Sequence, residues 1–167
     1  CSFLEIRIPQ VLHSNVVFLF ADQSELLFAF EQVEFFVDAV SDYKSDFVLF
    51  PEYFNAPLMA KFNHLGEAQS IRGLAQYTEE IRERFVNLAI SYNINIITGS
   101  MPLLKEDGAL YNVGYLIRRD GSYEMYEKVH VTPDEQKSWG LSGGKMVKTF
   151  DTDCARIGVL ICYDVEF

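Results

Sequence analysis

The sequence predicts an α/β fold built on a mixed sheet, and three observations carry that prediction. Two stretches with apolar residues at helical spacing are each followed by a short apolar run rich in β-branched side chains. Farther along, two strand-like segments flank Arg118-Arg119-Asp120-Gly121, where Asp-Gly is the turn signal of a hairpin. The C-terminal part then adds two more apolar runs. Repeated βα units followed by consecutive strands make a sheet with parallel and antiparallel pairs inside an α/β sandwich.

In chain order, residues 1–22 hold two short apolar runs, 4–8 and 16–20, separated by Pro9; either reads as a first strand. Residues 23–43 read as a helix, with Leu26, Phe30, Val33, Val37 and Val40 in one stripe. Residues 46–51 are a short buried strand ended by Pro51, and 53–72 an irregular connection rich in large apolar side chains. A second helix spans 74–92, its stripe being Leu74, Tyr77, Ile81, Phe85, Leu88 and Tyr92. Strands follow at 94–99, 109–117 and 122–131, then a loop at 132–145 and a strand at 147–150. Residues 157–161 read as a buried strand, apolar on both faces and ending at Cys162. No Pro/Gly/Ser-rich linker divides the chain, so one domain is expected.

Composition excludes several functions. The net charge of −10 is the wrong sign for a nucleic-acid partner or an anionic membrane surface. No segment reaches the ~20 apolar residues of a membrane span, and Glu5, Arg7 and Pro9 interrupt any leader-like start. Cys1, Cys154 and Cys162 form no CxxC pair, and His13, His64 and His130 lack metal-ligand spacing. A cytoplasmic protein without a metal or other cofactor is expected. Ser142-Gly143-Gly144-Lys145 is no phosphate-binding loop, since GxxxxGK[ST] is absent.

Chemistry is expected at the carboxyl ends of strands, where open α/β sheets place their sites. Glu52 follows one strand, Cys162 another, and Lys128 lies in the hairpin strand. Each alone has a plainer reading: a surface carboxylate, a core thiol, a surface lysine.

Together they stand in Phe50-Pro51-Glu52, Tyr126-Glu127-Lys128-Val129-His130, and Gly158-Val159-Leu160-Ile161-Cys162-Tyr163-Asp164-Val165-Glu166-Phe167. In this order and spacing the motifs resemble the nitrilase superfamily, the carbon–nitrogen hydrolases acting through a Glu-Lys-Cys triad. The resemblance covers about residues 24–167 and implies an α-β-β-α sandwich. It makes Glu52 the general base, Lys128 the oxyanion-stabilising cation and Cys162 the nucleophile. The loop Thr132-Pro133-Asp134-Glu135 resembles the one bearing the family's second, supporting glutamate, which falls on Glu135, with Asp134 and Glu127 as neighbouring alternatives. The backbone N–H of Tyr163 is the second oxyanion donor.

The resemblance further implies a small-molecule amide or nitrile substrate and a homo-oligomer. Family members continue beyond the nucleophile for about another third of the domain, so the chain is expected to be incomplete at its C-terminus. The segment 139–146 resembles the variety fused behind an acetyltransferase domain.

These residue types suit the chemistry. A free thiol has a pKa of about 8.5, so a thiolate at neutral pH needs a cation to lower that value, expected of Lys128, and a base to take the proton, expected of Glu52. The expected reaction is hydrolysis of a linear amide through a thioester. The alternatives are a nitrilase, an amidase supplying ammonia to a partner, and a non-catalytic interaction domain.

Overall fold

The computed structural model describes residues 24–167, so the first strand expected within 1–22 lies outside the described residues. Three α-helices and eight strands follow in chain order: α1 (Ser24–Asp42), β1 (Phe47–Leu49), α2 (Glu67–Ala75), α3 (Thr78–Ser91), β2 (Asn95–Ile97), β3 (Met101–Leu104), β4 (Leu110–Ile117), β5 (Tyr123–Glu127), β6 (Leu141–Ser142), β7 (Thr149–Asp151) and β8 (Arg156–Gly158). A 3₁₀ segment, Ala56–Phe62, precedes α2; a π-helical turn, Glu135–Trp139, precedes β6; a 3₁₀ turn, Cys162–Glu166, ends the chain.

β4 organises the main sheet. Along one edge run β2 and then β3, both antiparallel to it. Along the other run β5, antiparallel, and β6, parallel. β1 adds to β2 in parallel. Between the Ile97–Leu116 and Met101–Val113 pairs, Thr98, Gly99 and Ser100 stand opposite Gly114 and Tyr115. Three residues against two make a β-bulge, a device that re-aims side chains beside sites. Only glycine fits there: Gly99 has φ +71°, and a Cβ on it would lie 2.1 Å from the Pro51 carbonyl. The bulge thereby brings the end of β2 against the end of β1, and Glu52 bridges to Ser100.

One face of the sheet carries the helices. The stripes predicted for them are buried: Phe30, Val33 and Val37 in α1, Ile81 and Phe85 in α3. Fully buried Phe85 meets the rings of Phe30, Phe50 and Phe54 at centroid distances of 6.2, 5.1 and 5.4 Å. Burying such a ring contributes about 2–3 kcal/mol, and here it also seats Phe50, two residues before Glu52. On the opposite face, Leu116 and Tyr126 pack with Phe150 and Ile161, from the segment around the antiparallel β7–β8 pair. The layers are helices, mixed sheet and second sheet, as an α/β sandwich requires.

Three local expectations are corrected. The helix expected at 74–92 is two, and the connection at 53–72 contains the 3₁₀ segment and most of α2. The ring of Phe62 packs where a Cβ on Gly73 would be, 2.7 Å away. The Thr78 hydroxyl donates to the buried Pro102 carbonyl at 2.5 Å, starting α3 afresh.

β3 was not expected, and its second residue is a proline, which is ordinarily confined to places where no ladder bond is lost. Pro102 pairs with Asn112, whose own carbonyl points the other way, to Lys128. Pro102 therefore sits in a non-hydrogen-bonded pair and forfeits no ladder bond.

The buried strand expected at 157–161 is not there. β8 ends at Gly158, and Leu160 is 48% exposed. Among the described residues it pairs only with β7, and only the Ile161 side is buried against the main sheet.

Candidate active site

Glu52 lies just past the carboxyl end of β1, Lys128 just past β5, and Glu135 opens the π-helical turn. Lys128 is 1% exposed, and its ammonium lies between two carboxylates, 2.9 Å from Glu52 Oε1 and 2.8 Å from Glu135 Oε1. Burial works against its charge, but the hydrogen bonds to Glu135 and Glu52 outweigh burial and hold its pKa above the ordinary lysine value. An ammonium has three N–H groups, and two are used by these carboxylates. Glu135 is itself fixed: the Thr132 N–H donates to Oε2 at 2.7 Å, while the Glu135 N–H donates to the Thr132 hydroxyl at 3.2 Å. This reciprocal capping favours Glu135 over Asp134 or Glu127 as the loop carboxylate that reaches Lys128. Glu127 pairs instead with Lys105, and Asp134 is exposed.

Cys162 begins the terminal 3₁₀ turn with φ +47°, and its side chain is exposed. An L-residue in the left-handed region is strained by about 1–2 kcal/mol, a feature of residues presented to a site. Desolvation by its surroundings, followed by the charge and hydrogen bonding of Glu52, pushes the thiol pKa up; Lys128 and the Tyr163 N–H pull it down by less. Lys128 acts in the expected direction, but the net shift is upward, so the expectation of a thiol already activated at rest is corrected. Desolvation and the single neighbouring carboxylate of Glu52 together outweigh the ammonium.

Three residues without an expected role complete the cluster. The Tyr53 hydroxyl donates to Glu135 Oε1 at 3.4 Å; burial, then Glu135 and Glu52, raise its pKa, so the hydroxyl keeps the proton it donates. Its φ of +50° and its N–H bond to the Ser100 carbonyl at 2.8 Å fix the turn next to Glu52. Asn112 Nδ2 donates to Glu52 Oε1 at 2.9 Å. Asp164, 5% exposed, accepts from the N–H groups of Val129, His130 and Ile161. Asp164 lies inside a motif quoted above, and Asn112 is a polar residue within an otherwise largely apolar strand. Both signals were legible, but neither named a partner.

Glu52, Lys128, Glu135 and Cys162 thus come together from three parts of the sheet and the terminal turn. The arrangement sets a thiol near a carboxylate that is itself paired with a buried cation. No group of described His, Cys, Asp or Glu residues is suited to hold a metal ion. No described helix is long and apolar enough to cross a membrane.

Similarity to known proteins agrees with this geometry. Over 136 residues the chain is 46% identical to "Probable hydrolase YhcX" of Bacillus subtilis, covering 81% of this chain and 26% of that protein. Over 133 residues it is 34% identical to human "Omega-amidase NIT2", covering 72% and 44%. The chain therefore spans between about a quarter and a half of the length of these relatives. Among solved structures, Saccharomyces cerevisiae Nit3, of the nitrilase superfamily, superposes with a TM-score of 0.69 at 24% identity, over 84% of this chain and 51% of that one. An amidase from Nesterenkonia sp. does so with 0.68 at 20%, over 84% and 51%; at these identities the likeness establishes the fold. Residues 22–167 match the carbon–nitrogen hydrolase family over nearly the whole chain, and the chain belongs to that family.

Proposed function

We propose that this protein hydrolyses the C–N bond of a small linear amide through a thioester on Cys162. The observation that carries the reading is the buried Lys128 ammonium held between Glu52 and Glu135, with the Cys162 thiol beside Glu52.

In this mechanism the amide approaches Cys162 and Glu52 takes the thiol proton as sulfur bonds to the carbonyl carbon. The electron pair of the C=O bond moves to oxygen. That charge meets the third N–H of Lys128 and the N–H of Tyr163, donors in place before the charge develops. The C–N bond then breaks, Glu52 returns the proton to nitrogen, and ammonia or an amine leaves. Water, losing a proton to Glu52, attacks the thioester; the acid departs and the thiol is restored. Glu135 holds Lys128 in place and does not touch the reacting atoms.

The raised thiol pKa fits this order of events. A thiol protonated at rest is protected from adventitious oxidation and ionises only as the proton passes to Glu52. The omega-amidase name of the human relative supports an amide as the substrate class.

Ammonia release from a panel of linear amides, with intact-mass analysis of the quenched enzyme, tests the reading. An acyl adduct on Cys162, absent in Cys162→Ala, is the expected result. Turnover of nitriles with no amide turnover would reassign the protein as a nitrilase. Absence of any adduct or ammonia would leave it an interaction domain.

A further inference from the structure

We propose that Asn112 is a positioning residue that ties the Glu52 carboxylate through Oε1 and so reserves Oε2 for the Cys162 proton. The inference rests on the amide-hydrolase reading above for its catalytic meaning, but the geometry stands by itself.

Two donors converge on one oxygen: Lys128 Nζ at 2.9 Å and Asn112 Nδ2 at 2.9 Å both reach Glu52 Oε1, and neither bond uses Oε2. The donors are neighbours across the sheet, since the Lys128 N–H donates to the Asn112 carbonyl at 2.9 Å. Adjacent positions on paired strands place their side chains on the same face. With only Lys128 as partner, the carboxylate would be free to turn about its last bond and exchange its oxygens. The second donor, coming from β4 instead of β5, removes that freedom.

Asn112 is also held at a cost to stability. It is 0% exposed, and its Oδ1 has no hydrogen-bond partner among the described residues. A buried acceptor left unpaired is unfavourable, and an apolar side chain of similar shape would avoid the penalty. A polar residue kept where an apolar one would fold as well points to a role in the site. The amide orientation is the one expected beside a carboxylate, because turning Oδ1 toward Glu52 would oppose two acceptors.

The charged and titratable groups facing Glu52 are Lys128 at the end of β5, Cys162 at the terminal turn, Tyr53 next in the chain, and Glu135 across the ammonium. Asn112 is the neutral donor among them. Removing it withdraws the neutral hydrogen bond to Oε1 and leaves Lys128 alone to orient the carboxylate.

The test is the rate of iodoacetamide alkylation of Cys162 at neutral pH, followed by mass, in wild type, Asn112→Leu, Glu52→Gln and the double variant, with thermal melting alongside. N112L is expected to slow alkylation in the wild-type background and to leave it unchanged in the E52Q background, because the effect passes through the Glu52 carboxylate, with the melting temperature unchanged or raised. Amide turnover is expected to drop about a hundredfold in kcat, the scale of a misplaced reacting group, with KM little changed because Asn112 does not touch substrate. An equal effect in both backgrounds, or none in a folded variant, would overturn the proposal. Asn112→Ala removes the donor without adding bulk and is read the same way; failure of both variants to fold would overturn it in favour of a purely structural role. If wild type turns over no amide but alkylation still slows only where Glu52 is present, the positioning role stands and the amide-hydrolase reading falls.

Discussion

The carboxylate of Asp164 accepts the backbone N–H of His130 at 2.7 Å and the N–H of Ile161 at 3.2 Å. One side chain therefore joins the segment following Lys128 to the residue preceding Cys162. A third N–H, from Val129, donates to it at 3.1 Å. The His130 ring nitrogen lies 3.1 Å away, and Phe167 stacks on that ring with centroids 4.1 Å apart. Cys162 is thus held to the strand end that carries Lys128 by hydrogen bonds and, among the described residues, not by strand pairing.

Asp164→Ala is expected to lower stability by about 2–4 kcal/mol, because backbone donors lose a buried acceptor. It should also slow acylation of Cys162 more than it weakens substrate binding. Denaturant unfolding and a KM-against-kcat comparison check both. A variant as stable as wild type would show that the turn is held by its other contacts.

Glu52→Gln should abolish turnover and yet make the thiol more acidic. The neighbouring carboxylate pushes the Cys162 pKa up, after desolvation, and its neutral replacement removes that push. Alkaline titration of the thiolate by its ultraviolet absorbance reads this directly. The ionisation should move to lower pH in E52Q; a move upward would contradict the electrostatics described here.

Lys128→Met should remove turnover and cost about 3 kcal/mol, since it leaves two carboxylates facing a vacated buried position. Its pH signature distinguishes it. Lys128 has a folded-state pKa above its ordinary 10.5, so its contribution is fully present below that value and is lost as pH rises through the folded value. Wild type should therefore lose stability in strong alkali by a component that K128M lacks. Parallel alkaline unfolding curves for the two would falsify the assignment of that ionisation to Lys128.

At Cys162 the backbone itself gives a prediction. With φ +47°, alanine keeps the left-handed strain and glycine releases it. Glycine also loses more entropy on folding, by about 0.4–1 kcal/mol. Cys162→Gly is therefore expected to melt at or slightly above Cys162→Ala, with both inactive. A glycine variant melting several degrees lower would mean that the backbone there is relaxed.

Helix α1, the body of α3 and most of the strands were legible in the sequence because each rests on a local pattern. The stripe of Phe30, Val33 and Val37 repeats at helical spacing, and Asp120-Gly121 turns a hairpin whatever else the chain does. Glu52, Lys128 and Cys162 carry motif contexts that survive without knowledge of their neighbours. What the pattern did not contain was decided between segments distant in sequence. Pro102 is tolerated in β3 only because its pair with Asn112 needs no N–H. The stretch at 157–161 is apolar enough for a buried strand, but its ladder with β7 runs only from Arg156 to Gly158. The thiol pKa moves up, not down, because folding desolvates Cys162 and sets it beside the Glu52 carboxylate, and together these outweigh the charge of Lys128. Local propensity is written residue by residue; the sign of an electrostatic field and the pairing of an edge depend on distances that only the folded chain sets.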